Sequence, residues 1–256
     1  MSTFETLSEP SLFWVERPSM TLLRLAFRRQ TAIPMLALVF ASLTSVALVV
    51  ARICWTGHLF YAFLIWNLFL AWLPMMFSLL ACENYRSGAK RTWRFWSLAG
   101  AWLLFFPNAP YILTDLIHLN TRRFPHFWVD LTPILLCALT GLVLGFVSMF
   151  LMQSVVRQMC GRLASWVFIA GVAALSGFGI YVGRFLRFNS WDVLLKPRQL
   201  YEGIGGWVID PLGHPNGVFP VLFASFLFIT YLMLYALTHL QPEHGVAVGR
   251  VRSEMT

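Results

Sequence analysis

The sequence predicts an all-α fold, a polytopic bundle of transmembrane helices, from three observations. Of the 256 residues, 58% are hydrophobic and only 12% are charged, whereas soluble domains have roughly 25% charged residues. The hydrophobic residues form blocks of about 20, the length that a helix needs to cross a bilayer. No block shows the alternation that is typical of a membrane β-barrel strand. The chain is therefore expected to lie in a membrane as helices.

Six hydrophobic blocks define the expected spanning helices of a domain over residues 34–240. They are residues 34–50, 58–81, 95–119, 128–152, 163–185 and 218–240. Pro107 and Pro110 interrupt the third block, because proline removes a backbone donor and kinks or breaks a helix. Residues 1–33 contain arginines and no small-residue cleavage pattern, so we expect a cytoplasmic segment with a surface helix and no cleaved signal peptide. Residues 241–256 form a polar cytoplasmic tail.

The basic residues predict the orientation. The net charge is +8, but the 19 Lys and Arg residues lie in short pieces between the blocks. They form no long stripe that could follow phosphates, so nucleic acid is not an expected partner. Most of them fall on the side that holds both termini, and basic residues are enriched in cytoplasmic loops. The sequence thus predicts a multi-pass plasma-membrane protein, with the lipid bilayer as its partner and both termini in the cytoplasm.

The most informative stretch is residues 105–118, which reads Phe-Phe-Pro-Asn-Ala-Pro-Tyr-Ile-Leu-Thr-Asp-Leu-Ile-His. Within it Asn108, Tyr111, Asp115 and His118 recur at steps of three, four and three, and on a helix this spacing forms one polar stripe. A helix that proline breaks here exposes backbone groups that can face a cavity, as in many transporters. A simple kink with satisfied carbonyls is the alternative.

A second polar stretch ends the fifth block, and alternating topology brings it to the same outer boundary as the first. Charge near hydrocarbon is costly unless it is paired, so we expect Asp115 or Asp130 to pair with Arg184 or Arg187. The sequence predicts a polar pocket at this boundary. Its candidate ligand-binding residues are Asn108, Tyr111, Asp115, His118, Asp130, Arg184, Arg187, Asn189 and Asp192.

The acidic and imidazole side chains of the pocket permit two kinds of chemistry. Asp115 and His118 are weak candidates for a general acid-base pair, since a nearby carboxylate orients an imidazole and tunes its proton affinity. With His126 and Asp130 they could also supply metal ligands. The plainer interpretation is that Asp115 neutralises an arginine and His118 lies at the headgroup boundary. We assign no metal and no cofactor from the sequence.

Arg184 and Arg187 lie on adjacent turns of one helix face. Two guanidinium groups at a membrane boundary suit the binding of phosphate or carboxylate. The alternative is that both side chains extend to lipid headgroups and anchor the end of the fifth helix.

Small and polar residues inside the blocks predict helix contacts. Gly141 and Gly145, like Gly179 and Gly183, are four residues apart, and this spacing lets a neighbouring helix approach closely. We therefore expect contact between the fourth and fifth helices. Asn67 is expected to form an interhelical hydrogen bond. The four cysteines show no Cys-x-x-Cys spacing and are interpreted as packing residues.

Three segments carry a family resemblance. They are Phe-Pro-Asn-Ala-Pro-Tyr at 106–111, Thr-Asp-Leu-Ile-His at 114–118 and Gly-Arg-Phe-Leu-Arg-Phe-Asn-Ser-Trp-Asp at 183–192. With these segments the chain resembles a bacterial membrane-protein family, domain of unknown function 1361. Membership implies a polytopic bacterial inner-membrane protein and implies no activity.

Four functional hypotheses remain open at this point. The pocket binds a small anionic or lipid-headgroup ligand, or the chain is a transporter that uses a broken third helix. Alternatively it is an enzyme acting on a phosphorylated lipid, or a structural or assembly protein of the membrane. The sequence does not choose among them, and it leaves the oligomeric state undetermined.

Overall fold

The computed structural model describes residues 32–87, 92–119, 127–188 and 216–238, and five isolated positions between 195 and 213. Six α-helices lie within these ranges, with 3-10 turns at Leu59–Tyr61 and Ile112–His118, and no strand occurs in them. The helices are α1 (Ala32–Thr56), α2 (Ala62–Arg86), α3 (Trp93–Phe105), α4 (Asn108–Tyr111), α5 (Phe127–Arg184) and α6 (Phe219–Leu237). The predicted surface helix before the bundle and the polar tail lie outside the described residues.

Four helical segments are long and apolar enough to cross a membrane, within the part of the chain that the structure describes. They are Ile33–Thr56, Leu59–Arg86, Phe127–Arg184 and Phe219–Leu237. The predicted first span was too short, because α1 continues beyond Val50 to Thr56. Over the third predicted span the chain forms α3, the short α4 and the turn Ile112–His118.

Helix α5 consists of two arms that meet at Gly161, where φ is 88° and ψ is 177°. The first arm covers residues 127–160 and the second covers 162–184. The Trp102 indole donates to Ser148 Oγ at 3.2 Å and stacks on Phe168 with ring centroids 5.7 Å apart. In a straight helix Ser148 and Phe168 would be roughly 30 Å apart. The chain therefore reverses at Gly161, and the two arms lie side by side.

Two clusters of buried apolar side chains hold the bundle together. The first surrounds Trp102 and joins α3, both arms of α5 and α6. The second joins α1, α2, residues 109–112 and the first arm of α5. Because the arms of α5 run in opposite directions, the two ends of α5 lie at the same end of the bundle. We call it the polar end, defined by Arg52, Asp115, Asp130 and Arg184.

The glycine pairs contact a different neighbour from the one expected. We call residues 106–118 the proline segment. A Cβ atom at Gly141 would lie 2.8 Å from the Ala109 carbonyl oxygen, and one at Gly179 would lie 3.0 Å from the Pro107 ring. The nearest atoms to Gly145 and Gly183 include Ala109 and Tyr111 in the same way. The close approach was predicted correctly, but both arms of α5 use their glycines to contact the proline segment rather than each other.

A buried hydrogen bond between α5 and α6 gives a first testable prediction. The Tyr231 hydroxyl donates to Gln153 Oε1 at 2.6 Å, and both side chains are buried. Tyr231→Phe leaves this acceptor without its donor, so we expect the free energy of unfolding to fall by about 1–3 kcal/mol, measured by chemical denaturation in detergent. The control is the double variant Tyr231→Phe/Gln153→Met, which removes both partners and is expected to recover part of the loss. Wild-type stability in the single variant would contradict the assignment.

Candidate functional site

The proline segment begins where α3 ends, and its backbone shape follows from its two prolines. Neither Pro107 nor Pro110 can donate a backbone hydrogen bond. The chain instead makes local turns, with the Ala109 N–H bonded to the Phe106 carbonyl at 3.1 Å and the Tyr111 N–H bonded to the Pro107 carbonyl at 3.0 Å. Helix α4 and the turn Ile112–His118 continue from there. This path carries Tyr111 and Asp115 to the C-terminal end of α5.

Asp115 is the centre of the site and is 1% exposed. Arg184 Nη1 donates to Asp115 Oδ1 at 3.0 Å, and Asn67 Nδ2 donates to Asp115 Oδ2 at 2.8 Å. Both carboxylate oxygens are therefore hydrogen-bonded, one by a cation and one by an amide. The predicted pairing of Asp115 with Arg184 is confirmed, as is the interhelical hydrogen bond of Asn67. The position of Asn67 beside the carboxylate was not anticipated.

The proline segment contacts Arg184 through hydrogen bonds and an aromatic ring as well as through the ion pair. Nη2 donates to the Thr114 carbonyl at 2.9 Å, and Nη1 also lies 3.3 Å from the Tyr111 hydroxyl. The guanidinium carbon is 5.6 Å from the centroid of the Tyr111 ring, a distance at which the ring face attracts a cation. A planar group with several donors is suited to such a site, so these contacts fix the orientation of the guanidinium group.

A second buried pair lies at the polar end, and it was not predicted. Asp130 pairs with Arg52 through Nε, not with Arg184 or Arg187. The side chains are only 11% and 8% exposed for Arg52 and Asp130. Arg52 also lies beside Trp55, with 5.5 Å between the guanidinium carbon and the ring centroid. The sequence-based site missed Arg52, although a basic residue at the end of a hydrophobic block, facing an acid at the start of another, was the available signal.

Comparison with known proteins identifies the family to which the chain belongs. Residues 66–237 match the family described as "Protein of unknown function (DUF1361)". The chain belongs to this family. The chain matches no curated protein and no solved structure. The DUF1361 match spans Asn67, Asp115, Asp130 and Arg184, whereas Arg52 lies before its first residue. The Asp115 pair is thus contained in the DUF1361 region.

The structure places the remaining predicted site residues as follows. Asn108 begins α4, at the start of the turn that leads to Asp115. Arg187 is exposed, three residues beyond Arg184, and its φ is +60°. The backbone of His118 ends the turn Ile112–His118, but its side chain lies outside the described residues, as do Asn189 and Asp192. The structure thus brings Tyr111, Asp115 and Arg184 together and places Arg187 next to them in the chain.

The described side chains of the site form a network of ion pairs and hydrogen bonds. Among the described side chains, no group of three or more His, Cys, Asp and Glu residues is arranged to hold a metal ion. Asp115 accepts hydrogen bonds at both oxygens, and charge-assisted hydrogen bonds of this kind are among the strong ones, so they hold the carboxylate and its partners in place. Arg187 is an exposed cationic side chain just beyond the C-terminal end of α5.

Proposed function

We propose that the protein crosses the bacterial inner membrane six times and binds a small anionic or lipid-headgroup ligand at the polar end, through Arg187. In this arrangement α1, α2 and α6 each cross once, and each arm of α5 crosses once. Helix α3 with the proline segment makes the remaining crossing. The reversal at Gly161 supports the assignment of two crossings to α5. The family carries no stated activity, so the ligand class is argued from the site alone.

The distribution of basic residues supports an outward-facing polar end. With six crossings both termini and the basic stretch Arg86–Arg94 share the opposite side, where most of the Lys and Arg residues fall. The positive-inside rule then assigns that side to the cytoplasm. The N-terminal residues 1–33 and the tail 241–256 are cytoplasmic in this proposal.

One observation carries the ligand proposal, and it is the backbone conformation of Arg187. A φ of +60° is disfavoured for residues with a Cβ, and glycine is the usual residue at such a position after a helix. The Phe188 N–H donates to the Val182 carbonyl at 3.2 Å, and this hydrogen bond closes a turn that contains Arg187. An arginine occupies a position where glycine would relieve strain, and residues in such conformations are concentrated at functional sites. The guanidinium group therefore has a role that outweighs its backbone cost.

The neighbouring ion pair explains why Arg187, and not Arg184, presents the charge. Arg184 is neutralised by Asp115 and donates to the Thr114 carbonyl. Arg187 is exposed, at a membrane boundary where phosphate and carboxylate groups accept hydrogen bonds from guanidinium. Arg184 thus acts as a positioning residue that fixes the end of α5. The enzyme alternative is less well supported, because it needs the Asp115 carboxylate for proton transfer.

Arg187→Gly tests this proposal, because it is expected to weaken ligand binding without lowering the free energy of unfolding. We expect binding of an anionic ligand to weaken about tenfold, as one charge-assisted hydrogen bond is lost. The free energy of unfolding is expected to stay equal or to rise by up to about 1 kcal/mol, because glycine adopts positive φ without strain. The measurement is native mass spectrometry of the protein with phosphatidylglycerol or phosphatidylcholine, and separately with inorganic phosphate. The two arms distinguish a lipid headgroup from a free anion.

The control is Arg157→Ala, which removes an exposed cation near the reversal at Gly161, at the opposite end of the bundle. We expect it to leave binding at the polar end unchanged. Unaltered phosphatidylglycerol and phosphate binding in Arg187→Gly would contradict the proposal. A loss of binding equal in Arg187→Gly and Arg157→Ala would also contradict it, since that result indicates attraction by net charge alone.

A further inference from the structure

Thr140 on the first arm of α5 differs from the other helical hydroxyl residues. The described helices contain many Ser and Thr side chains that donate to the preceding turn of their own helix. Examples are Thr44 to the Phe40 carbonyl at 2.9 Å, Thr132 to the Trp128 carbonyl at 2.9 Å and Ser176 to the Val172 carbonyl at 2.6 Å. Thr140 is only 3% exposed, and its Oγ1 has no hydrogen-bond partner among the described residues.

Thr140 lies deep in the bundle and on a polar face. The next residue, Gly141, lies against the proline segment, where an added Cβ would be 2.8 Å from the Ala109 carbonyl oxygen. Cys137 precedes it by three residues, and residues at this spacing are neighbours on a helix surface. The Cys137 thiol lies beside the Ser45 hydroxyl of α1. One turn earlier in α1, Ser42 accepts a hydrogen bond from the Trp72 indole of α2 at 3.1 Å. Thr140 is therefore adjacent to a row of polar groups inside the bundle.

The energetics of a hydroxyl at this depth require a partner. A buried hydroxyl without a hydrogen bond loses its hydration and gains nothing in return, and a helical threonine can avoid this by bonding to its own helix. Thr140 does not use that option, although the other buried hydroxyls of the described helices, such as Ser45 and Ser176, do. A water molecule satisfies such a group, because it both donates and accepts and because buried waters bind to otherwise unsatisfied polar atoms.

We propose that the Thr140 hydroxyl binds a water molecule inside the bundle, next to Cys137 and Ser45. This makes a hydrated internal site between α1 and the first arm of α5, near the proline segment. The site is separate from the anion site at Arg187 and does not depend on it. It takes a small uncharged molecule with hydrogen-bonding capacity, since the groups around it are a hydroxyl, a thiol and a second hydroxyl.

The native cysteines allow a direct test by hydroxyl-radical labelling of the intact protein in lipid nanodiscs. Radicals form from water under irradiation, so a buried thiol is oxidised quickly only where water lies beside it. Cys137 is 1% exposed and Cys82 is 5% exposed, so Cys82 reports the rate for a buried thiol away from the site. Cys54 is exposed and reports the rate for an accessible thiol. We expect Cys137 to be labelled faster than Cys82 in the wild-type protein.

Thr140→Val removes the hydroxyl with little change of shape and provides the matched comparison. We expect the labelling rate of Cys137 to fall to that of Cys82, and the rate of Cys54 to stay unchanged. We also expect a lower unfolding temperature than in Thr44→Val, whose hydroxyl is exposed and bonded within its own helix. Thr140→Ser keeps a hydroxyl and is expected to retain Cys137 labelling. Equal wild-type rates at Cys137 and Cys82, or a higher unfolding temperature in Thr140→Val, would overturn the proposal.

Discussion

Asp115→Asn is expected to lower the free energy of unfolding by about 3–5 kcal/mol, because it removes one partner of a buried ion pair. The asparagine amide matches the carboxylate in shape but not in charge or in hydrogen bonding. One of the two terminal groups of the asparagine side chain is NH₂, a donor, and it would face a donor of either Arg184 or Asn67. Arg184 would remain largely buried without its ion pair to Asp115. Chemical denaturation in detergent, monitored by tryptophan fluorescence, measures the change.

The double variant Asp115→Asn/Arg184→Gln separates the lost pair from a general loss of packing. Removing the cation as well removes the uncompensated charge, so we expect the double variant to be less destabilised than the sum of the single variants. Asp130→Asn disrupts the separate pair with Arg52, and its effect is expected to add to that of Asp115→Asn. An Asp115→Asn protein as stable as wild type would show that the pair does not hold the proline segment to α5.

Gly177→Ala is expected to destabilise the bundle by about 3 kcal/mol or more, because the added methyl group meets backbone and not a flexible side chain. The new Cβ would lie 2.3 Å from the Pro220 carbonyl oxygen and 2.9 Å from the Ala224 backbone nitrogen. Helix α6 would therefore have to move away from the second arm of α5. Thermal unfolding in detergent, followed by circular dichroism, measures the loss.

Gly171→Ala is the matched control for this prediction, since it lies on the same arm and nothing lies within 4 Å of its added Cβ. Alanine has the higher helix propensity, so Gly171→Ala is expected to gain up to about 1 kcal/mol. Similar unfolding temperatures for the two variants would refute the close packing of α6 against Gly177.

The sequence was sufficient to predict the helical class and one of the ion pairs, for related reasons. Long apolar blocks admit only helices in a bilayer, and a charge at the end of such a block has few partners of opposite sign. Pairing of Asp115 or Asp130 with Arg184 or Arg187 was therefore predictable, and Asp115 with Arg184 is the pair that forms. The partner of Asp130 was not, because the choice between Arg52, Arg184 and Arg187 depends on how α1 and the arms of α5 are arranged around the proline segment.

The neighbours of the glycines were likewise beyond what spacing can predict. A pair of glycines four residues apart indicates that a backbone approaches closely, but it does not identify which backbone. Here the approaching element is an irregular proline-containing segment, and patterns of helix pairing do not describe such a segment. Asn67 was predicted to bond across helices, and only the structure shows that it completes the hydrogen bonding of Asp115.

The position of the proline segment between the two arms of α5 has a mechanical consequence. The first arm touches it at Ala109 and Ile112, and the second arm touches it at Pro107 and Tyr111. The segment is therefore a spacer that sets the distance between the arms, and Arg184 fastens one edge of it. A displacement at the end of the second arm, next to Arg187, would therefore be transmitted through the proline segment to the first arm. A ligand that binds there is expected to raise the unfolding temperature of the whole bundle, by an amount that grows with the logarithm of its concentration divided by its Kd, rather than to rigidify one loop.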